Sequence, residues 1–492
     1  MAKYIIALDQ GTSSTRAIVF NDQGTAIASH QIELQQYYPQ DGWVEHNPEE
    51  IWQAALNCVQ MVFKKSKVAI KDIAALGISN QRETTILWDK NTGQPVYSAI
   101  VWQDRRTAGY CSELANDSLN SLIQTKTGLL LDPYFSATKI RWLLENIPGL
   151  AKKAANNQVA FGTIDSFLIW RLSGGKRHVT DATNASRTLL FNLQTQQWDE
   201  ELLKFFSIPP AILPEVLDSS AEFARTEKKL LGEEIIIAGV AGDQQAALIG
   251  QACFKKGMIK STYGTGCFVV INTGSEIIHS KNRLLSTVAY RLKGKVTYAI
   301  EGSIFSAGSI VKWLRDKVYL IETAADTERY ALDVASTEGV YFVPAFTGLA
   351  APYWHPYARG AIIGLSRNSE RAHIVRAALE AIAYQTKDLL DAFVKDGVLL
   401  ADIRVDGGMV ANNWLLQYLA NILNINVTKP KFIETTALGA AYLAGLHVDV
   451  YSSLEAIATQ WQADQVYVPN FAESKRKDLY EGWLKAIKRV SL

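Results

Sequence analysis

Residues 4–20, YIIALDQGTSSTRAIVF, decide how this 492-residue chain is read. Tyr4 to Leu8 is apolar and rich in branched side chains, and Ala17 to Phe20 is apolar again, which predicts two buried strands joined as a hairpin. The turn between them, Gly11, Thr12, Ser13, Ser14 and Thr15, has no bulk with which to fill a core. It offers backbone N–H groups, small hydroxyls and the adjacent Arg16, which together suit phosphate oxygens. Asp9 ends the first strand, where a carboxylate can hold a divalent cation directly or through water. Alone, this hairpin is better read as a tight turn with a solvated Asp. A second hairpin changes the balance. Met258 to Gly274, MIKSTYGTGCFVVINTG, repeats the order strand, Gly-Thr-Gly turn, strand. Two such hairpins, each heading a domain-length stretch, predict a duplicated α/β unit with a nucleotide held in the cleft between copies. The break between halves falls near Gly250 to Lys256.

Length and composition agree with a large globular protein of two domains, or three smaller ones. Hydrophobic residues make up 48% and charged residues 20%, and the net charge of +1 favours neither nucleic acid nor an anionic membrane as partner. No apolar run approaches the roughly 18 residues that span a bilayer, so no stable membrane insertion is expected. Cys58, Cys111, Cys253 and Cys267 show no CxxC or zinc spacing, and Met1 leads straight into a strand without a signal peptide. The expectation is a cytoplasmic protein.

Outward from the first hairpin, a third strand is predicted around Ala26 to Leu34. Asn47, Pro48 and Glu50 have the layout of an N-cap, an N1 proline and an N3 acid, and predict a helix from about Pro48 to Lys65. Ile73 to Ser79 reads as a short buried strand ending in Asn80, Gln81, Arg82, Glu83 and Thr84. Polar residues directly after a buried strand mark an end that faces a cleft, where open α/β sheets place their ligands. Tyr134 to Asn146 opens an amphipathic helix, and Thr180 to Thr188, TDATNASRT, reads as a polar loop of small residues in an inserted lobe. Further on, EEIIIAGVAGDQQAALIG places Asp243 between a buried strand and a helix, where helix N–H groups support its charge. In the second half a strand at Tyr298 to Ile300, a helix starting around Phe305, a long helix from Arg371 to Val394 and a strand at Ile403 to Val405 are expected. Asp406-Gly407-Gly408-Met409 follows, and its glycines let backbone approach a flat ring or phosphate closely, or simply make a tight strand-to-helix turn.

Taken together and in order, ALDQGTSSTRAI, GWVEHNPEEIW, SNQRET, YFSATKIRWLLEN, AGDQQAALIG, STYGTGCF, GAIIGLSRNSERAHIVRAALE and VDGGMVANN resemble the FGGY family of carbohydrate kinases, over essentially the whole chain. The resemblance implies an α/β fold of duplicated actin-like ATPase (RNase H-like) domains with an interdomain cleft. Residues 1–251 would carry the polyol site and first phosphate loop, and 252–492 the second phosphate loop and adenosine site. It implies ATP, giving ADP, with Mg2+ as cofactor and glycerol as the small-molecule substrate. Arg82, Glu83, Tyr134, Asp243 and Gln244 would hydrogen-bond the polyol, with Trp102 and Phe268 closing over its C–H face. Asp243 would be the catalytic base. Thr12, Ser13, Ser14, Arg16 and Thr265 would hold phosphates, and Gly308, Lys312 (Gln in relatives), Gly408 and Asn412 the adenosine end. Asp9, with Asp243, would position the metal. A homo-oligomer, dimer or tetramer, is implied as well. KKLLGEEIIIAG departs from the Gly-Gly-Thr-Arg loop with which some relatives bind fructose 1,6-bisphosphate, so that control is expected to be weak or absent. Two alternatives stand beside this reading. One is a family member acting on a ketopentose or another polyol; the other is a non-catalytic actin-like ATP switch, against which the polyol set argues.

Overall fold

The computed structural model describes residues 4–346, 348, 349, 352, 353, 355 and 357–491, so part of the Pro/Gly/Tyr-rich loop at 344–360 lies outside the described residues. The opening hairpin is formed as predicted. Strands β1 (Tyr4–Gln10) and β2 (Ser14–Phe20) pair antiparallel, with Asp9 opposite Arg16 and Gln10 opposite Thr15. The turn is shorter than the sequence suggested, because Ser14 and Thr15 already belong to β2 and pair with Glu33 and Ile32 of β3 (Ala26–Glu33). Helix α1 (Pro48–Ser66) starts where its cap predicts: the Asn47 side chain accepts a hydrogen bond from the Glu49 N–H. Strand β4 (Ile73–Asn80), helix α2 (Ser136–Asn146), strands β5 (Ser220–Arg225) and β6 (Ile236–Gly242), and helix α3 (Asp243–Gly250) complete the framework of the first half. Its sheet has the order β5-β6-β4-β1-β2-β3.

The second half repeats it. Strands β7 (Ile259–Tyr263), β8 (Cys267–Gly274), β9 (Leu285–Leu292), β10 (Lys295–Ile304), β11 (Ile403–Asp406), β12 (Val427–Pro430) and β13 (Ala463–Tyr467) form a sheet of order β9-β10-β8-β7-β11-β12-β13. As in the first sheet, a hairpin strand is followed in space by two parallel strands and an antiparallel edge. The copies differ in chain order at that edge. β5 precedes the strand it borders, whereas β13 follows its neighbour, and β9 extends the second sheet by one strand. β10 is longer than the predicted strand, so helix α4 (Gly308–Asp316) begins three residues later than Phe305. Further helices of this half include α5 (Arg371–Lys395), α6 (Asn413–Leu423) and α7 (Thr435–His447). No helix among the described residues is long and apolar enough to cross a membrane.

Helix α7 joins the halves. It is apolar all round, TTALGAAYLAGLH, and packs on the first sheet and against α3 in one buried cluster that also takes in Val270 and Ala299 of the second sheet. Small residues make the approach possible. A Cβ at Gly77 of β4 would lie 2.2 Å from the Ala440 carbonyl oxygen, and one at Gly439 of α7 would lie 1.8 Å from that of Ala246 in α3. Gly439→Ala is therefore expected to cost about 1–3 kcal/mol or more through overpacking. Gly109→Ala, where an added Cβ meets nothing within 4 Å, should not. Chemical denaturation of the two variants beside wild type checks this; equal stability for both would refute the contact.

Candidate active site in the cleft between the halves

Each polar strand end reaches the same region. Arg82 and Glu83 follow β4 and are buried at 3% and 1% exposure. Glu83 takes a left-handed backbone (φ 61°), a conformation that costs a residue with a side chain free energy and is kept where surroundings over-determine it. Asp243 is the first residue of α3, with Gly242 in the capping position, and its Oδ1 accepts from the Gln244 N–H at 2.7 Å and from Arg82 Nε at 3.1 Å. Its side chain keeps 29% exposure, opening to the cleft.

Around this trio lies a set that sequence reasoning did not single out. Glu301 of β10 accepts from both terminal nitrogens of Arg82, Nη2 to Oε1 at 3.1 Å and Nη1 to Oε2. Arg187 donates from Nε to Glu83 at 2.6 Å and from Nη2 to Glu301 at 3.1 Å. Lys260 of β7, also fully buried, donates to the Gln244 side-chain oxygen. Three cations and three carboxylates thus interleave across the two halves. Burial alone would raise the Glu301 carboxyl, but Arg187 and Arg82 bring it down to about 2. Burial lowers the Lys260 ammonium, an effect that Asp406 and Asp243 offset only in part. Burial would also lower the Arg82 guanidinium, but Glu301 leads the groups that hold it well above its ordinary range. Glu83 is pushed up by burial, which Arg187 and Arg82 partly offset. Arg187 was missed because TDATNASRT reads as an exposed polar loop. It is instead buried throughout, with strand Val179–Asp181 and a turn of helix at Ala182–Ala185 capped by Asp181. The one available signal was an Arg at the end of a run of small hydroxylated residues, which fits a buried network as well as a loop.

An aromatic wall stands beside this network. The Trp102 ring lies edge-to-face with Tyr134 at 5.6 Å and with Phe268 of the second half at 6.2 Å. Burial pushes the Tyr134 hydroxyl well above its usual range, so it stays protonated and able to donate.

Each sheet contributes one hairpin turn, and the first touches the aromatic wall where Thr12 meets Trp102. In the first, Asp9 accepts a hydrogen bond from Ser79 at 2.6 Å, the residue beside it on β4. In the second, Thr262 and Asp406 hold the same register, and Thr262 is the donor. The duplication has exchanged carboxylate and hydroxyl between the two strands. Asp406 is saturated, since Gln251 and Thr435 also donate to it at 2.9 and 2.7 Å. Asp9 has Ser79 as its hydrogen-bond partner among the described residues, and burial, with smaller contributions from Asp243 and Glu434, pushes it up to about 6. Of the predicted phosphate ligands, Thr12 accepts from the Trp102 indole at 2.9 Å, Ser13 is exposed, and Ser14 sits in the β2 ladder. Arg16 is paired with Gln31 at 2.8 Å and with Glu434 of the second half. Thr265 is exposed at the tip of the second turn, its carbonyl accepting from the N–H groups of Ala307 and Ser309. Gly308 is closely packed there, since a Cβ would come within 2.6 Å of the Gly264 carbonyl, whereas Gly408 has open space. Lys312 is exposed. Asn412 caps α6 through Leu415 N–H at 2.8 Å and donates to Thr327 at 3.2 Å.

Residues 4–250 match the N-terminal domain of the FGGY family of carbohydrate kinases and residues 259–448 its C-terminal domain. Among curated proteins the chain is 57% identical to glycerol kinase of Coxiella burnetii over 492 residues, all of this chain and 98% of that one. It is 55% identical to glycerol kinase 1 of Pseudomonas aeruginosa, covering 100% and 99% of the two chains. Among solved structures, Plasmodium falciparum glycerol kinase with ADP superposes with a TM-score of 0.94 at 39% identity, over 100% of this chain and 99% of that one. A gluconate kinase from Lactobacillus acidophilus gives 0.90 at 25% identity, with 100% and 99% coverage.

Proposed function

The chain belongs to the FGGY family of carbohydrate kinases, and we propose that it transfers the γ-phosphate of ATP to glycerol, giving sn-glycerol 3-phosphate and ADP. The observation that carries the reading is the joining of Arg82, Glu83 and Asp243 to the Trp102–Tyr134–Phe268 wall, in a chain 55–57% identical to glycerol kinases over its whole length. A small neutral triol has little apolar surface. Charged partners fixed by their neighbours hold its hydroxyls, and the aromatic edges cover its C–H face. Gln244, steadied by Lys260, adds an amide to that set.

In this reading Asp243 is the general base. Its Oδ1 is committed to Arg82 and the Gln244 N–H, which leaves Oδ2 for the acceptor hydroxyl. As that oxygen forms its bond to the γ-phosphorus, the proton passes to Asp243 and the bond from phosphorus to the β-phosphate oxygen breaks. The rest is positioning and neutralisation of charge. Thr12, Ser13, Ser14 and Arg16 approach the phosphates from the first half and Thr265 from the second. Gly308, Lys312, Gly408 and Asn412 line the adenosine end, Asn412 by placing backbone through its cap. Asp9 and Asp243 fit a magnesium ion: two carboxylates close enough that one raises the other's pKa are relieved by a cation between them. Among the described residues no three potential ligands converge, so such an ion would keep several waters, as Mg2+ does. When bound it neutralises charge on the phosphate oxygens.

We take 1–251 and 252–492 as the units that close over the substrates, shutting out water as they do. Oligomerisation into a dimer or tetramer and a cytoplasmic location complete the proposal. ADP release from MgATP with glycerol, set beside xylulose, ribulose, gluconate and no acceptor, tests the function. Strong turnover with glycerol alone is expected. Preference for a ketopentose would move the acceptor, and ATP binding without acceptor-dependent turnover would overturn the kinase reading.

A further inference from the structure

Trp102 touches both substrate sites. One edge of its ring belongs to the acceptor wall with Tyr134 and Phe268, and its indole Nε1–H donates to Thr12 Oγ1 at 2.9 Å in the first phosphate turn. An indole nitrogen can only donate. Thr12 must therefore accept, and the hydroxyl's own hydrogen is turned away from Trp102, free to point at an oxygen placed on the turn. Hydrogen bonds in series polarise one another, so a donor behind Thr12 makes its hydroxyl a better donor in front. The backbone of Trp102 is tied to the same turn by a second route. Its N–H donates to Thr84 Oγ1 at 3.3 Å, and Thr84 donates to Gln81 Oε1 at 2.9 Å. Gln81 Nε2 then donates to Gln10 Oε1 at 3.1 Å and to the Gly11 carbonyl at 3.3 Å. Gln81 and Thr84 flank Arg82 and Glu83, so the chain that holds the polyol ligands also holds the phosphate turn. Trp102 itself is only partly buried. Tyr134 and Phe268 meet the indole edge-to-face, and a polyol laid against the ring would add to what holds its N–H in orientation.

We propose that Trp102 and Thr12 form the coupling element between the acceptor and nucleotide sites: a polyol that immobilises the Trp102 ring fixes the Thr12 hydroxyl in its phosphate-donating orientation, so acceptor binding tightens nucleotide binding, and the reverse. This rests on the kinase reading above and adds to it a positioning role for one hydrogen bond. By linkage the two effects are equal in size. The bond also discriminates against water as acceptor, since water cannot pin the ring. Acceptor-independent ATP hydrolysis is thereby kept slow.

The test is a mutant cycle read as a ratio of affinities. The dissociation constant of a non-hydrolysable ATP analogue with Mg2+ is measured calorimetrically, without and with saturating glycerol, for wild type, Trp102→Phe, Thr12→Val, the double variant and Thr12→Ser. The ratio cancels any direct loss of phosphate contact in the Thr12 variants. Thr12→Val also leaves the aromatic wall intact, should Trp102→Phe impair folding. The expected result is a glycerol-dependent tightening in wild type that falls about five-fold in Trp102→Phe and in Thr12→Val, close to the ~1 kcal/mol net worth of one hydrogen bond. The double variant should fall no further, and Thr12→Ser, which keeps the hydroxyl, should retain the wild-type ratio. A wild-type ratio near one, unchanged ratios in both single variants, or additive losses in the double variant would each overturn the proposal. Failure of the kinase reading looks different: wild type would show neither glycerol binding nor glycerol-dependent ADP release. If another polyol supports turnover instead, the same cycle run with that polyol decides the coupling.

Discussion

Asp243→Asn is expected to lower kcat by about 10²- to 10⁴-fold, the range over which a positioned general base contributes, while the affinities for glycerol and for MgATP analogues change only a few-fold. Asparagine keeps an oxygen where Oδ1 accepts from Arg82 and from the Gln244 N–H, so the ends of β6 and α3 should stay in place. What is lost is a carboxylate able to take the acceptor proton. Single-turnover measurement of phosphoryl transfer, with binding measured separately, distinguishes the possibilities. A variant retaining more than a tenth of wild-type kcat would remove Asp243 from the proton's path. A parallel collapse of acceptor binding would make it a substrate-holding group instead.

Glu301→Gln should have the largest effect on stability. Glu301 is fully buried and accepts from Arg82 and Arg187, with Lys260 close enough to lower its pKa further. Removing its charge leaves Arg82 and Arg187 short of one buried carboxylate, and the amide NH2 would confront a guanidinium donor. Breaking a buried pair in this way typically costs about 3–5 kcal/mol, because the remaining charge is left uncompensated. The pH dependence has a definite sign. The Glu301 carboxyl lies at about 2 in the folded protein against an ordinary 4.5. Its contribution to stability is therefore fully present above about pH 4.5 and is lost as the pH falls through about 2. The stability gap between wild type and Glu301→Gln should accordingly narrow below pH 4.5. Unfolding midpoints followed from pH 7 downward check both parts. Midpoints that coincide at pH 7 would mean that the network contributes nothing net.

Much of the local architecture was legible because local signals suffice for it. Asn47-Pro48 started α1, the apolar run from Tyr4 opened β1, and Arg371 opened a long helix, each within a residue or two of where its chemistry placed it. The family resemblance named Arg82, Glu83, Tyr134, Trp102, Asp243 and Phe268 as a candidate polyol set, and the structure brings the charged members together and Trp102 against Tyr134 and Phe268. Arg187, Glu301 and Lys260 were not legible. Glu301 and Lys260 lie inside strands, where a charge usually means a solvent face, and Arg187 lies in a segment whose small hydroxyls imitate a surface loop. Their charges are tolerated in the interior only because residues 83, 187 and 301, far apart in the chain, neutralise one another.

The sequence by itself determined that two Gly/Ser/Thr-turn hairpins head two α/β halves, because a hairpin's strands and turn are neighbours in the chain. Only the tertiary structure decided that α7 of the second half would cover the first sheet through Gly77, Gly250 and Gly439, that Arg16 would meet Glu434, and that Trp102 would reach Thr12. Those contacts depend on the shape and charge of surfaces that exist only after both sheets have formed, and short-range patterning carries no record of them.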